Sequence, residues 1–227
     1  MADTDFDFDI LETLALRDGG FIHLQRHVAR MQDAARHFGR TCTDAVLEQA
    51  LQQLRQAHAS GHWRVRLALD ATGRIQTQAA PLPPSSTPVR LALADRPIAN
   101  AVAHGDWVRF KTSRRAHYDS LQPTDASVFD TVLHNEDGEI TEGTRGNIAV
   151  LLAGRWVTPP LSSGLLPGVG RAVALDEGRV VEHPVRLDDL PRVQGWAFVN
   201  SLRGWLPARA ELMVFRDGFH KAVSDNR

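Results

Sequence analysis

The sequence predicts a mixed α/β protein in two parts, because strand and helix patterns are interleaved and a proline-rich segment lies between them. Residues 65–69 have the composition of a strand, whereas residues 24–38 carry apolar side chains at helical spacing. Four prolines within residues 81–88 exclude a helix or a central strand there, and a linker or a long surface loop are the two alternatives. The expected parts are an N-terminal portion over 1–85, a linker or crossing over 86–94 and a C-terminal portion over 95–227.

The N-terminal elements follow from apolar spacing and from turn residues. Asp18-Gly19-Gly20 predicts a tight turn between two strands. Gly39 is expected to end the first helix and Thr43 to cap the second, because glycine and threonine are favoured at these helix termini. The predicted elements are strands at 6–10 and 21–22, helices at 24–38 and 44–57, and strands at 65–69 and 75–77.

The C-terminal elements are strands joined by several turns, which favours antiparallel connections. Turns are indicated at residues 135–138 and 217–218, where Asp-Gly pairs occur. The predicted elements are strands at 89–94, around Lys111, and at 127–134, 147–152 and 197–200, helices at 115–121 and from residue 168, and a hairpin at 213–220.

Composition and charge exclude several classes of protein. The formal net charge is −1 at pH 7, which gives no electrostatic basis for binding nucleic acid or an anionic membrane. Cys42 is the only cysteine, so no intrachain disulfide can form. The longest apolar run, at 148–153, is too short to cross a bilayer, and the acidic N-terminus lacks the features of a signal peptide. We expect a cytoplasmic protein.

Two histidine pairs, His23/His27 and His58/His62, have the i,i+4 spacing that zinc ligands often show. No third ligand accompanies either pair in the sequence, and the second pair straddles a Ser-Gly dipeptide at a helix end. We therefore expect no metal site.

Lys111 is one of two lysines in a chain whose 26 basic residues are otherwise arginines. It lies in the apolar and aromatic stretch 107–112, where burial would lower the pKa of its amine. An unprotonated lysine can form a Schiff base or accept a proton, and an arginine can do neither. The alternative is a lysine that only extends its charge to the surface. We interpret Lys111 as a candidate catalytic residue.

Three further segments carry polar chemistry. Residues 139–148 form a polar, glycine-rich loop that leads into an apolar strand. Residues 165–171 place one proline and two glycines before a helix, a common way to present backbone N–H groups to a phosphate. Arg30 lies on the otherwise amphipathic first helix. Together with Lys111, these segments are expected to converge on one site.

Taken in order, these motifs resemble those of the fold-type IV pyridoxal-phosphate enzymes, the class IV aminotransferase family. Residues 11–19 (LETLALRDG) and 27–39 (HVARMQDAARHFG), with Phe110-Lys111-Thr112 and Tyr118, are most similar to the branch of 4-amino-4-deoxychorismate lyase. A lyase-like domain fused to some aminodeoxychorismate synthase component I chains belongs to that branch. The resemblance covers essentially the whole chain. It implies an N-terminal α+β sandwich and a C-terminal barrel-like domain with the cofactor between them.

The resemblance also implies roles for individual residues toward the cofactor, pyridoxal 5′-phosphate. Lys111 corresponds to the lysine that bonds to the cofactor and later moves protons. Glu142 matches the glutamate that faces the pyridine nitrogen and keeps it protonated, and Glu139 is the competing candidate. Arg30 matches the arginine that binds the phosphate. The other implied contacts are the backbone of Val169 and Gly170 and the hydroxyl of Ser201 (alternatively Asn200) at the phosphate, Tyr118 at the phenolic oxygen and Asn147 at the loop or the cofactor's edge.

Arginines are the candidates for binding substrate carboxylates, because a guanidinium group binds a carboxylate through two hydrogen bonds. The candidates are Arg114, Arg115, Arg145 and Arg203.

The resemblance implies a lyase that releases pyruvate from 4-amino-4-deoxychorismate and leaves 4-aminobenzoate, a folate precursor. A transaminase of branched-chain or D-amino acids would use the same Lys111 and Glu142 and is the first alternative. A non-catalytic partner subunit of aminodeoxychorismate synthase is the second. The sequence starts almost directly at the expected strand of Glu12 and Thr13, without the longer N-terminal hairpin usual in the aminotransferases, and on this basis we expect the lyase branch. The family implies a homodimer, and association with aminodeoxychorismate synthase is a further expectation.

Overall fold

The computed structural model describes residues 8–211 and confirms the mixed α/β class, with the chain folded around two β-sheets. The first elements are β1 (Ile10–Arg17), β2 (Gly20–Phe21), α1 (Leu24–His37), α2 (Asp44–Ala57), β3 (His62–Leu69) and β4 (Ile75–Pro81). The next are β5 (Val89–Leu93), α3 (Asn100–Ala103), α4 (Asp106–Arg109), α5 (Ala116–Asp119), β6 (Asp130–His134), β7 (Ile140–Gly143), β8 (Asn147–Leu152) and β9 (Arg155–Thr158). The last are α6 (Val169–Asp176), β10 (Val181–Glu182), β11 (Gly195–Asn200) and β12 (Gly204–Glu211), with short 3-10 helices at Leu161–Ser163 and Leu187–Arg192.

The first sheet is antiparallel in the order β2-β1-β3-β4, and α1 and α2 pack on one of its faces. β1 pairs with β3 along its full length, from Ile10 opposite Leu69 onward. Side chains alternate along a strand, so Glu12 shares the helix-covered face of β1 with the core residues Ile10 and Leu14. A carboxylate in that position needs buried partners, and α1 provides them.

The second sheet has eight strands in the order β10-β9-β8-β11-β12-β5-β6-β7 and curls into a half-barrel. Its core contains Val132, Ile148 and Phe198, which are almost fully buried. α6 packs against β11 on the other face, where Ala174 joins the cluster around Ala197. This packing brings the beginning of α6 next to the end of β11.

The segment that carries Lys111 is attached to β1. Leu11 donates its backbone N–H to the carbonyl of Lys111 at 2.8 Å. Phe110, the preceding residue, is buried in the core of the first sheet. The side chain of Lys111 therefore projects from a backbone that is held from both sides of the residue.

The predicted strand around Lys111 is wrong in extent. Asp106–Arg109 form the short helix α4, and of the following residues only Thr112 makes a bridge, to Ile10. Apolar residues at 107, 108 and 110 suit one helical turn as well as a strand, so the sequence pattern was ambiguous.

Other differences concern the ends of elements. β6 begins at Asp130 rather than near residue 127, and β4 continues to Pro81 before an irregular crossing at 82–88 leads to β5. The predicted hairpin at 213–220, Lys221 and the beginning of the strand at 6–10 lie outside the described residues. Between residues 8 and 211, no helix combines the length and the apolar character needed to cross a membrane.

Candidate active site

A cavity of about 420 Å³ opens beside Lys111 and is lined by residues of both sheets. It contains most of the side chains that the sequence indicates as site candidates. The lining includes Arg30, Lys111, Arg115, Tyr118, Glu142, Arg145, Asn147, Val169, Asn200, Ser201 and Arg203, but not Arg114, Glu139 or Gly170. The fold thus gathers residues from both ends of the chain around one lysine.

Two candidates outside the lining have other partners. Arg114 lies over the ring of Trp107, with its guanidinium carbon 4.7 Å from the ring centre. Glu139 accepts a hydrogen bond from the hydroxyl of Ser163 at 2.7 Å. Of the two glutamates that the sequence left open, it is Glu142 that faces the cavity.

The amine of Lys111 makes no hydrogen bond or ion pair with any residue in the described range. Burial lowers the pKa of Lys111 to about 8, and the positive charges of Arg30 and Arg115 act in the same direction. With such a pKa, about a tenth of the amines is unprotonated at neutral pH. The unprotonated form is the one that attacks a carbonyl carbon or accepts a proton.

Glu142 is buried at the end of β7, and three groups donate hydrogen bonds to it. The hydroxyl of Tyr118 lies 2.6 Å from Oε1, and the backbone N–H of Leu166 lies 3.1 Å from the same oxygen. The amide of Asn147 lies 3.4 Å from Oε2. Burial raises the pKa of Glu142 to about 7, and the hydrogen bonds from Tyr118 and Leu166 oppose this shift. A carboxyl group with this pKa can share a proton with a basic ring nitrogen.

Tyr118 supports Glu142 from α5. Burial and the neighbouring carboxylate raise the pKa of Tyr118 well above its usual value, so the hydroxyl keeps its proton and acts as the donor. Arg115 lies over the tyrosine ring, with its guanidinium carbon 4.7 Å from the ring centre. The contact that the family resemblance implies between Tyr118 and the phenolic oxygen of the cofactor stays a prediction, because the tyrosine hydroxyl is hydrogen-bonded to Glu142.

The first turn of α6 presents uncapped backbone N–H groups beside the cavity. Its N-cap residue is Gly168, which has no side chain to satisfy them, and Val169 lines the cavity. Such N–H groups have no partner within the helix and attract anions. A Cβ added to Gly168 would meet Oδ1 of Asn147 at 1.9 Å, and one added to Gly170 would meet the carbonyl carbon of Asn200 at 2.5 Å. The two glycines let the helix end approach β8 and β11 closely.

Gly170→Ala is expected to destabilise the protein by about 1–3 kcal/mol. The new methyl group would overlap the backbone of residues 200 and 201 and push the beginning of α6 away from β11. Gly20→Ala is the matched control, because a Cβ at Gly20 comes no closer than 3.4 Å, to the carbonyl oxygen of Arg17. Thermal unfolding of both variants, followed by circular dichroism, measures the difference. Equal midpoints for the two variants would contradict this account of Gly170.

A buried hydrogen-bonded chain leads from the cavity to β1. Arg30 donates to both carboxylate oxygens of Glu12, at 2.7 and 2.8 Å, and to the carbonyl of Pro167 at 3.1 Å. His27 contacts the same carboxylate through Nδ1 at 2.6 Å and Oγ of Ser201 through Nε2 at 2.8 Å. Burial tends to raise the pKa of Glu12, but the charge of Arg30 and the hydrogen bonds from His27 and Arg30 lower it to about 2. Glu12 is therefore an ionised carboxylate in the protein core.

The cavity wall carries two arginines that the sequence did not indicate, Arg64 and Arg66 on β3. Neither guanidinium group makes a hydrogen bond or an ion pair with any of residues 8–211. Burial lowers the pKa of Arg203, and so do the charges of Arg145 and Arg64, which lie near it. In the described lining, Glu142 is the only acidic side chain.

Comparison with known proteins assigns almost the whole chain to one protein family. Residues 9–210 match the family model described as Amino-transferase class IV. The chain belongs to the class IV aminotransferase family.

Relatives within this family are named for two activities. A Schizosaccharomyces pombe (strain 972) protein named "Putative aminodeoxychorismate lyase" is 27% identical over 202 residues, which cover 86% of each chain. A crystal structure from Mesorhizobium loti, titled as a "Putative amino-acid aminotransferase", is 34% identical with a TM-score of 0.82, and the match covers 90% of this chain and 100% of that one. A hypothetical aminotransferase from Mycobacterium tuberculosis in its PLP-bound form shares the fold at 21% identity, with a TM-score of 0.71 and coverage of 89% and 80%.

Class IV aminotransferases are pyridoxal-phosphate-dependent enzymes of fold type IV, as the sequence motifs predicted for this chain. The residues present in the cavity fit that cofactor. An unpartnered lysine amine suits its aldehyde, a buried carboxyl group suits its ring nitrogen, and an uncapped helix terminus suits its phosphate.

The rate at which Lys111 captures pyridoxal 5′-phosphate is expected to increase as the pH rises through about 8. The pKa of this lysine is lowered, so its amine loses the proton in that range, and only the unprotonated amine is a nucleophile. Mixing cofactor-free protein with pyridoxal 5′-phosphate over a pH series and following the visible absorbance gives the rate. A flat profile would contradict the lowered pKa.

Sequence reasoning missed Glu12, Arg64 and Arg66 as site residues. Glu12 could have been predicted from the sequence, because it lies between Ile10 and Leu14 on the apolar face of a strand, where an ionised side chain needs buried partners. Arg64 and Arg66 precede and follow the buried Val65 in β3. Because side chains alternate along a strand, both lie on the face opposite Val65, side by side. Within residues 8–211, no three histidine, cysteine, aspartate or glutamate side chains are grouped as a metal site would need.

Proposed function

We propose that this enzyme is a pyridoxal-phosphate-dependent lyase that converts 4-amino-4-deoxychorismate to 4-aminobenzoate and pyruvate. The observation that carries the proposal is the excess of arginines around Lys111. Six arginines and one glutamate belong to the described lining of the cavity. The name of the S. pombe relative supports the same choice.

This charge suits a substrate with two carboxylates. Arg30 is paired with Glu12 and Arg145 lies 3.9 Å from the carboxylate of Asp130, so the positive charge without a carboxylate partner in the described residues belongs to Arg64, Arg66, Arg115 and Arg203. 4-Amino-4-deoxychorismate carries one carboxylate on its ring and one on its enolpyruvyl group, whereas most amino acids carry a single carboxylate. Arg64 and Arg66 on β3 and the group of Arg145 and Arg203 are the candidates for these two carboxylates.

The chain's own residues provide the proton chemistry. Pyridoxal phosphate, when bound, supplies an aldehyde carbon and an electron-withdrawing pyridine ring, which together acidify the proton on an amine-bearing carbon. Lys111 would hold the cofactor through Nζ, and the same Nζ, when free, would accept that proton. Glu142 would share a proton with the ring nitrogen and so would keep the ring electron-withdrawing. The enolpyruvyl group would leave with the electrons of its C–O bond to the ring, and the proton from Lys111 would convert it to pyruvate. The remaining ring becomes aromatic, which drives the reaction.

The proposal is tested by supplying 4-amino-4-deoxychorismate to the cofactor-loaded enzyme without any keto acid. Sustained release of 4-aminobenzoate and pyruvate in equal amounts is expected. The Lys111→Ala variant under the same conditions measures spontaneous breakdown of the substrate. A requirement for a keto acid in every turnover would contradict the lyase.

An amino acid transaminase is the second candidate, and the M. loti structure favours it, because that whole chain is matched at 34% identity. Lys111 and Glu142 would serve in both reactions, so they do not separate the two. Amino transfer that depends on a keto acid, with no 4-aminobenzoate released, would support the transaminase. The family assignment makes the chain an enzyme, so the non-catalytic subunit is not retained.

Arg66→Gln is expected to raise KM for 4-amino-4-deoxychorismate by at least about tenfold with little change in kcat. The side chain has no partner in the described chain, so its loss would be felt by the substrate rather than by the fold. Arg114→Gln is the matched control, because Arg114 does not line the cavity. Initial rates over a range of substrate concentrations give both parameters, and equal KM values for the two variants would contradict the assignment.

The homodimer, the cytoplasmic location, the association with aminodeoxychorismate synthase and the two-part division at residues 85 and 95 also remain proposals. The dimer is the most direct to test. Light scattering of the cofactor-loaded enzyme should give twice the chain mass, and a monomer would contradict it.

A further inference from the structure

The buried chain Ser201–His27–Glu12–Arg30 contains one nitrogen, Nε2 of His27, whose protonation is not fixed by its neighbours. Nδ1 of His27 lies 2.6 Å from Oε2 of Glu12, and Arg30 donates to both oxygens of the same carboxylate. An ionised carboxylate has no hydrogen to donate. The hydrogen between His27 and Glu12 therefore belongs to Nδ1, and only the state of Nε2 is open.

Two arrangements satisfy the contact of 2.8 Å between Nε2 of His27 and Oγ of Ser201. Without a hydrogen on Nε2, the serine hydroxyl donates to the ring, and Oγ can then only accept hydrogen bonds from the cavity. With a hydrogen on Nε2, the ring donates to Oγ, and the hydroxyl hydrogen is free for another acceptor. The protonation of His27 thus decides whether Ser201 is a donor toward the cavity.

Ser201 lies next to the anion-attracting end of α6. A Cβ built on Gly170 would come within 2.7 Å of the backbone nitrogen of Ser201, so the hydroxyl and the uncapped first turn are neighbours. A phosphate dianion presents only acceptor oxygens and needs donors around it. Only the arrangement with a doubly protonated His27 lets Ser201 donate to it.

We propose that His27 gains a proton on Nε2 when a phosphate group binds beside α6, so that cofactor uptake is coupled to protonation of a buried histidine. The proton comes from solvent, and no covalent bond forms between His27, Ser201 and the phosphate. His27 is a positioning residue, because it acts through the Ser201 hydroxyl. The inference rests on the proposed placement of the cofactor phosphate at α6.

The charges around His27 are consistent with this coupling. The charges of Glu12 and Arg30 offset one another. A positive charge on the imidazole of His27 would be the second of the network, and among the described residues no carboxylate besides Glu12 contacts that ring. A bound phosphate would supply the missing negative charge. The titratable and charged groups that face the ring are Glu12 from β1 and Arg30 and His23 from α1, with Glu177 at the end of α6 acting on His23.

The test counts the protons taken up when a phosphate ligand binds. Cofactor-free full-length protein is titrated calorimetrically near pH 8 with pyridoxine 5′-phosphate, in buffers of different ionisation enthalpy. This ligand has no aldehyde and cannot react with Lys111, and its phosphate is already a dianion at that pH, since the second pKa of such a group is about 6. Lys111, whose pKa is about 8, can also take up protons when a dianion binds, so the quantity that tests His27 is a difference. We expect the wild-type protein to take up about one proton more per bound ligand than a variant without His27.

Two variants and one ligand control isolate His27. His27→Gln keeps a hydrogen-bonding side chain that cannot gain a proton, so it should take up about one proton less per bound ligand than the wild type. Ser201→Ala leaves the core contacts of α1 in place and should lose most of the uptake. Pyridoxine, which lacks the phosphate, should cause about one proton less uptake in the wild-type protein than pyridoxine 5′-phosphate does.

The outcomes separate this inference from the proposed function. Wild-type binding without proton uptake, or equal uptake by the wild type and both variants, would overturn the role of His27 and leave the cofactor site intact. A wild-type protein that binds no pyridoxine 5′-phosphate and gains no visible absorbance with pyridoxal 5′-phosphate would overturn the proposed function and this inference together.

Discussion

Lys111→Ala is expected to abolish turnover while the fold survives. Lys111→Arg should be equally inactive, because a guanidinium group neither reacts with an aldehyde nor accepts a proton near neutral pH. One residue combines the nucleophile with proton transfer, so we expect both variants to lose at least about 10³-fold in activity. Initial rates, with circular dichroism to confirm folding, measure the effect.

Lys221→Arg is the control for Lys111, because it changes the other lysine of the chain and keeps its charge. Its activity should be close to that of the wild type. Borohydride reduction of the cofactor-loaded enzyme, followed by peptide mass analysis, should find the cofactor attached to Lys111. Attachment at Lys221, or wild-type turnover by the Lys111 variants, would overturn the site.

Glu142→Gln is expected to lower kcat about 10²–10³-fold. The amide oxygen still accepts the hydrogen bonds from Tyr118 and Leu166, and only the long 3.4 Å bond from Asn147 loses its acceptor. The side chain then holds no negative charge beside the ring nitrogen. The measurements are kcat and the pH dependence of the absorbance of the bound cofactor, which reports protonation of its ring.

Glu139→Gln makes the same chemical change three residues earlier in the chain, at a side chain bonded to Ser163 outside the cavity. It should keep near wild-type kcat and an unchanged absorbance profile. Equal losses in the Glu139 and Glu142 variants would mean that the loop, rather than the carboxylate at 142, is responsible.

The helices of the first half were predictable because their signals are local. The apolar spacing of residues 24–38 matches α1 to within one residue at its end, and Thr43 accepts a hydrogen bond from the backbone of Val46 as expected of a cap. Lys111 and Glu142 both line the cavity; the rarity of lysine among the arginines indicated the first, and the family resemblance indicated the second, while their roles stay predictions.

The contacts between distant segments could not be predicted in the same way. The pairing of Arg30 with Glu12 joins α1 to β1, and nothing in the local spacing of either residue specifies it. The hydrogen bond from Tyr118 to Glu142 likewise depends on how α5 packs against β7. Such partners are set by tertiary packing, so sequence motifs identify the residues of a site more reliably than their bonds.

Because the backbone of Lys111 is attached to β1, this one strand positions both the reactive amine and the network of Glu12, Arg30 and His27. β1 holds the backbone of the reactive lysine through Leu11 and, one residue later, anchors Arg30 and His27 through Glu12. A displacement of β1 would move the Lys111 amine together with Glu12, Arg30 and His27, so the distance between the amine and this network would be preserved. An engineer who wishes to change the substrate should therefore vary the arginines of β3 and leave β1 untouched.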